Sequence, residues 1–171
     1  LILHELEQIT GPSITPSATE VLEKVKRINR YTGLLTNSFS IMKEGMSYDD
    51  YNKFRKSLTP ASGFQSAQFR FIELRCTNVM NLINEKGQQR LSSQPGLDEL
   101  FANIYWQDAG FNRKTGRKNL TLSLFEEKYL NDFKRLASEM KSHTLEDKVE
   151  NLPDGAEKSE LIAELRSMDV F

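Results

Sequence analysis

The sequence predicts an all-α protein, a bundle of long antiparallel helices joined by short loops. Three observations predict it. Apolar residues recur at alternating spacings of three and four over long stretches. No segment sustains period-two alternation with β-branched residues, so no strand is expected. Clusters of proline, glycine and serine punctuate the periodic stretches.

Taken in order, Leu1 to Ile9 reads as the tail of a helix, broken by "TGPSITPSA". Ser17 or Thr19 can cap the next helix. Its apolar positions Val21, Val25, Ile28, Leu35, Phe39 and Met42 form one stripe, expected to be buried, and Gly45 ends it. Ser47 with Asp50 resembles a capping box and opens a short helix to about Leu58. "TPASG" is a small-residue turn. A helix is expected from about Phe64 to Glu85, ended at Gly87. After the loop "SSQPG", residues Leu97, Leu100, Phe101, Ile104 and Tyr105 mark a helix ending near Gly110. "FNRKTGRKN" reads as a basic loop. Ser123 with Glu126 forms a capping box for a helix along Leu130, Phe133, Leu136, Ala137 and Met140. "NLPDG" then precedes a last helix on Leu161, Ile162, Leu165 and Met168. No repeat of fixed period occurs.

At 171 residues, 38% hydrophobic and 27% charged, the chain can build a packed core. The net charge of −1, from 23 basic and 24 acidic residues, gives no general electrostatic ground for a nucleic-acid or anionic-membrane partner. The basic run Asn112 to Lys118 is the one stretch that could suggest nucleic acid. It reads as a solvated loop, with no aromatic platform flanking it in a recognised arrangement. No apolar run reaches the roughly 18–20 residues needed to span a bilayer. Cys76 is the only cysteine, so no internal disulfide forms and a reducing, cytoplasmic setting is expected. The chain opens at Leu1 in full helical stride and stops at Phe171 as abruptly. It reads as a single helical domain, 1–171, incomplete at both ends.

Phosphate-binding glycine loops, Cys-x-x-Cys pairs and His-Glu-x-x-His are absent. His4 and His143 are far apart and read as solvated or helix-capping residues, and no metal ligand is assigned. One constellation carries chemistry. Tyr51, Arg55 and Leu58 stand at i, i+4 and i+7, within roughly 60° of one another around a helix. An aromatic, a guanidinium and a leucine on one stripe suit a ligand with a flat apolar body and a carboxylate, because the guanidinium fork matches a carboxylate in two parallel bonds. A surface ion pair of Arg55 with Asp49 satisfies the same spacing. In "TPASG", Ala61, Ser62 and Gly63 permit close approach to the backbone. Arg70, read as two turns into the next helix, adds a second anion-binding point if both helices line one cavity.

The run "YNKFRKSLTPASGFQSAQFRFIE" resembles the signature of the tryptophan 2,3-dioxygenases, haem enzymes that open the indole ring of L-tryptophan. "LILHELEQI", "SIMKEGMSYDDYNKFR" and "LTLSLFEEKYLNDF" are similar to further segments of that family, so the resemblance covers most of the chain in order. It implies the family's helical fold and an oxidoreductase of the kynurenine pathway. L-Tryptophan and O2 would be joined to give N-formylkynurenine. It implies that Arg55 holds the tryptophan carboxylate while Tyr51 and Leu58 pack beside the indole. Ser62 and Gly63 would lie near the distal face of haem, and Arg70 would meet a haem propionate. It also implies a homotetramer in which neighbouring subunits complete each site. The family's distal histidine would stand upstream of Leu1 and its proximal histidine beyond Phe171. His4 and His143 match neither, so this segment alone is expected to be inactive and to lack an axial iron ligand. The competing expectation is a helical scaffold or interaction protein of the same fold that has lost haem.

Overall fold

The computed structural model describes residues 1–57, 66–107, 110–112 and 114–167. It is predominantly helical, as expected. The helices are α1 (Ile2–Glu7), α2 (Ala18–Gly45), α3 (Tyr48–Ser57), α4 (Ala67–Cys76), α5 (Glu85–Gln88), α6 (Leu97–Asn103), α7 (Leu120–Glu139), α8 (Leu145–Glu150) and α9 (Ala156–Ser167). Among the described residues, two 3-10 turns, Val79–Leu82 and Tyr105–Gln107, lie between them.

Local chemistry explains the boundaries. Ser17 caps α2 through a reciprocal box with Glu20. Ser47 and Asp50 pair as expected: the Ser47 hydroxyl donates to Asp50 at 2.6 Å and accepts from the Asp50 amide at 3.2 Å. The helix expected through Glu85 instead stops at Cys76. Thr77 turns extended, and the asparagines Asn78 and Asn84 accept from downstream amides, starting a 3-10 turn and α5. Local side-chain bonds there outcompete helix continuation. Similarly, α6 ends at Asn103, and the chain continues as the 3-10 turn at Tyr105 rather than as helix.

The cap of α7 is Asn119, whose side chain accepts from the Leu122 amide, and not Ser123. The Ser123 hydroxyl donates back to the Asn119 carbonyl, and Glu126 is buried against Gln107 and Lys118. Asn119 wins because the preceding residues are in a two-stranded antiparallel hairpin, β1 (Phe111–Asn112) with β2 (Arg117–Lys118). This hairpin stands where a loop was expected. Asn112 gathers the amides of Lys114 and Thr115, and Gly116 takes φ +66°, which glycine adopts without strain. α8, which the pattern analysis missed, has a full capping box of Thr144 with Asp147.

Two cores form. In one, α4, α6 and α7 bury Leu74, Phe101, Trp106, Phe125 and Phe133. In the other, α1, α2, α8 and α9 bury Leu6, Val21, Val25, Leu145 and Leu161. α4 serves both, with Ala67, Phe71 and Leu74 toward the first and Ile72 and Cys76 toward the second.

The stripe on α2 is only half buried. Val21, Val25 and Ile28 are in the core, but Leu35, Phe39 and Met42 are 53%, 64% and 51% exposed. α9 and α1 pack on α2 over its first half. The second half, together with α3, presents an apolar surface that no described residue covers.

Candidate functional site

Of the six residues singled out from the sequence, Tyr51 and Arg70 have described side chains. Tyr51 is half-exposed on α3, whose Tyr48 and Phe54 are also exposed. Arg55 belongs to α3, one turn after Tyr51. Its side chain, and Leu58, Ser62 and Gly63, lie outside the described residues.

Arg70 stands in the first turn of α4, not two turns in, because the helix begins at Ala67 with Ser66 as its cap. Its exposure is 4%. A charge so deeply buried requires partners. Glu73, 5% exposed, supplies a carboxylate oxygen 2.8 Å from Nη1. Tyr105, from the 3-10 turn after α6, accepts a hydrogen bond from the same Nη1 and donates its hydroxyl to Glu73 Oε1 at 2.6 Å. The rings of Phe69 and Tyr105 lie 4.9 and 5.2 Å from the guanidinium carbon, within cation–π range. Arg70 Nε is buried and has no hydrogen-bond partner among the described residues.

Burial raises the Glu73 carboxyl above the ordinary carboxylate range, although the Tyr105 hydroxyl and Arg70 both pull it down. The Tyr105 phenol is raised as well, first by burial and then by its bond to Glu73. Arg70, Glu73 and Tyr105 thus form a mutually bonded triad.

Glu73 and Tyr105 also face an open cleft of about 860 Å³ with Phe69, Cys76, Leu82 and Leu145 on its walls. A second, almost wholly apolar cavity of about 340 Å³ lies against α2, and Phe69, Cys76 and Leu145 line both. Cys76 titrates high, its thiol pushed up to about 12 by burial and by the nearby Glu73 carboxylate. It is accordingly an inert thiol. Modification by a thiol reagent is expected to be slow in the native protein and fast in denaturant. Equal rates in both would show that the site is open. Because the folded thiol titrates above its ordinary value of 9.0, its contribution to stability is fully present below that pH. It is lost as the pH rises towards 12.

Among the described residues, no group of three His, Cys, Asp or Glu side chains is placed to hold a metal ion. His4 is on the surface, 2.7 Å from the Gln8 side chain. No helix among the described residues is long and apolar enough to cross a membrane. In the basic hairpin, Lys118 is paired with Glu126.

Sequence reasoning named Arg70 and missed both of its partners. Glu73 carried a signal, since an acid at i+3 faces the arginine on a helix. Tyr105 carried none, because its position depends on how α6 packs against α4.

The model of the family described as tryptophan 2,3-dioxygenase matches residues 1–96. Among curated proteins, the chain is 39% identical over 77 residues to tryptophan 2,3-dioxygenase from Dictyostelium discoideum, covering 42% of this chain and 19% of that one. It is 28% identical over 156 residues to the Xenopus tropicalis protein of the same name, covering 86% of this chain and 37% of that one. The corresponding protein from Ruegeria sp. (strain TM1040) is 34% identical over 73 residues, covering 43% of this chain and 26% of that one. The chain therefore spans well under half the length of these relatives. No solved structure matches.

Proposed function

Because the chain belongs to the tryptophan 2,3-dioxygenase family, we propose that it is part of a haem-dependent oxidoreductase that joins L-tryptophan with O2 to give N-formylkynurenine. The observation that carries this reading is the run from Tyr51 to Glu73, with "FR", "PASGFQS" and "QFR" at the family's intervals, inside the matched residues. Arg55 would grip the substrate carboxylate through its two-point fork. Tyr51 and Leu58 would flank the indole, so that the carboxylate clamp fixes which ring edge is presented. Ser62 and Gly63 would let the backbone approach the cofactor's distal face.

The fit to haem divides in two. At the carboxylate edge, Arg70 matches the family's propionate arginine by resemblance, but here it is buried, paired with Glu73 at 2.8 Å and absent from the lining of the open cleft, so it does not fit a propionate as it stands. At the iron, neither His4, which lies on the surface beside Gln8, nor His143 matches a haem ligand of the family by resemblance. Haem, when bound, supplies the oxygen chemistry, while the residues named here bind and orient. The uncovered apolar surface of α2 and α3 is consistent with a homotetramer in which a neighbouring subunit completes the site. A cytoplasmic setting fits the single, free cysteine.

Steady-state kinetics of the full-length enzyme test the assignment of Arg55. A charge-assisted bond contributes about 1.5–3 kcal/mol, so Arg55→Ala is expected to lower kcat/KM for tryptophan by about ten- to a hundredfold. Arg55→Lys is expected not to restore it, because an ammonium lacks the fork. The loss should be smaller for an indole without the carboxylate. A folded Arg55→Ala enzyme with unchanged kcat/KM would return Arg55 to a surface ion pair.

A further inference from the structure

The apolar cavity of about 340 Å³ is walled by α1, α2, α4 and α8. Leu6 of α1, Val25 and Ile28 of α2 and Leu145 of α8 line it and are core residues, so they close its inner end. Phe69 and Ile72 of α4 form a side wall. Further along α2, Leu35 and Phe39 also line it and are exposed, so they mark its mouth. The space is thus a concavity between packed helices, with one open end.

Its chemistry is uniform. Among the described residues, none that lines it is acidic, basic or a histidine. Its two threonines spend their hydroxyl protons inside α2: Thr32 donates to the Ile28 carbonyl at 3.0 Å and Thr36 to the Thr32 carbonyl at 3.1 Å. Cys76 keeps its proton, since its thiol titrates only at about 12. A buried water needs about two to four polar partners, and this wall has few to give. An ionised ligand would lose its hydration and meet no counter-charge. A neutral apolar ligand gives up nothing polar and takes apolar wall out of water.

Volume sets the size of the occupant. A dry cavity of about 150 Å³ holds one benzene. About twice that volume has room for two fused rings and stands at the small end of ligand pockets, which run from about 300 to 1,000 Å³. A four-ring macrocycle does not fit. A zwitterionic amino acid brings two charges that the wall cannot answer.

We propose that the cavity between α1, α2, α4 and α8 is a binding site for a neutral apolar molecule about the size of two fused rings. The closed inner end fixes how deep the molecule goes. The missing charges select against its carboxylate and ammonium analogues.

The test uses naphthalene as the neutral probe and 2-naphthoate as its charged counterpart, on the full-length protein, with binding followed by calorimetry. Naphthalene is expected to bind one per chain with a Kd of about 100 µM or lower. Its heat-capacity change is expected to be negative, the mark of apolar burial. The naphthoate is expected to bind at least about tenfold more weakly. Position is tested by filling the mouth. Thr36 is exposed, so Thr36→Trp sheds no core packing and is expected to weaken naphthalene at least about tenfold. Thr32→Phe fills the same space from one turn earlier and serves if Thr36→Trp does not fold. Asn81→Trp, on the wall of the neighbouring large cleft, is expected to change nothing. Equal affinity for the two probes overturns the proposal, as does loss of binding in Asn81→Trp with none in Thr36→Trp. Absence of naphthalene binding to the full-length protein also overturns it, because another part of the chain or a second copy then fills the cavity.

Discussion

Replacing Glu73 by alanine is expected to lower the stability of the ligand-free protein by about 3–5 kcal/mol. The change removes the only acid in ion-pair contact with Arg70 among the described residues and leaves a guanidinium 4% exposed. Tyr105 cannot compensate, since a neutral hydroxyl satisfies one donor but not the charge. A buried charge without its partner costs far more than the net contribution of the pair. The control is a double substitution, Arg70→Met with Glu73→Leu, which removes both charges and keeps apolar volume. It should recover most of the lost stability, because an apolar pair of similar volume is often as stable as the ion pair it replaces. Urea unfolding of the wild type and the two variants checks this. A loss under about 1 kcal/mol for Glu73→Ala would mean that water reaches Arg70, as it does exposed pairs.

The same cluster shows where sequence reasoning stops. Periodicity located most of the helices, because burying an apolar stripe imposes spacings of three and four wherever the helix packs. The caps at Ser17 and Ser47 were readable because capping is local. It misled at Ser123, whose spacing to Glu126 satisfies the capping pattern. Asn119 stands four residues earlier, where the chain leaves the hairpin, and Glu126 is held by Lys118 and Gln107. The hairpin was invisible because its strands are two residues each, too short for a period to show. On α2, Leu35 carries the same pattern as Val25, yet only Val25 is buried. The pattern records that a face is apolar, not which partner covers it. At the site, Glu73 carried a signal in its helical spacing to Arg70 that the pattern reading left unused. Tyr105 became visible only once α6 and α4 were packed together.

Phe133→Ala is expected to cost about 3–5 kcal/mol, the range for deleting a large buried aromatic. Phe133 is 0% exposed at the centre of the core shared by α4, α6 and α7. Its ring meets Phe71 edge-on at 5.0 Å and lies 5.7 Å from Phe125 and 6.3 Å from Trp106. Such pairs add to the area term, so truncation forfeits contacts on several sides and opens a cavity that a rigid aromatic cluster fills poorly. The effect should reach the site. Phe133, Phe101, Ile104 and Trp106 pack around Arg70 and Glu73 and form their apolar wall. Loosening that wall admits water, which reduces the desolvation that raises the Glu73 carboxyl. Two measurements follow. Denaturant unfolding gives the loss for Phe133→Ala, and Phe133→Leu, which keeps more apolar volume, should lose clearly less. A double-mutant cycle of Phe133→Ala with Glu73→Gln should show a coupling of about 0.5–3 kcal/mol, because the two side chains share one packed environment. Strict additivity would separate the aromatic core from the triad and leave its proton affinity to the cleft side alone.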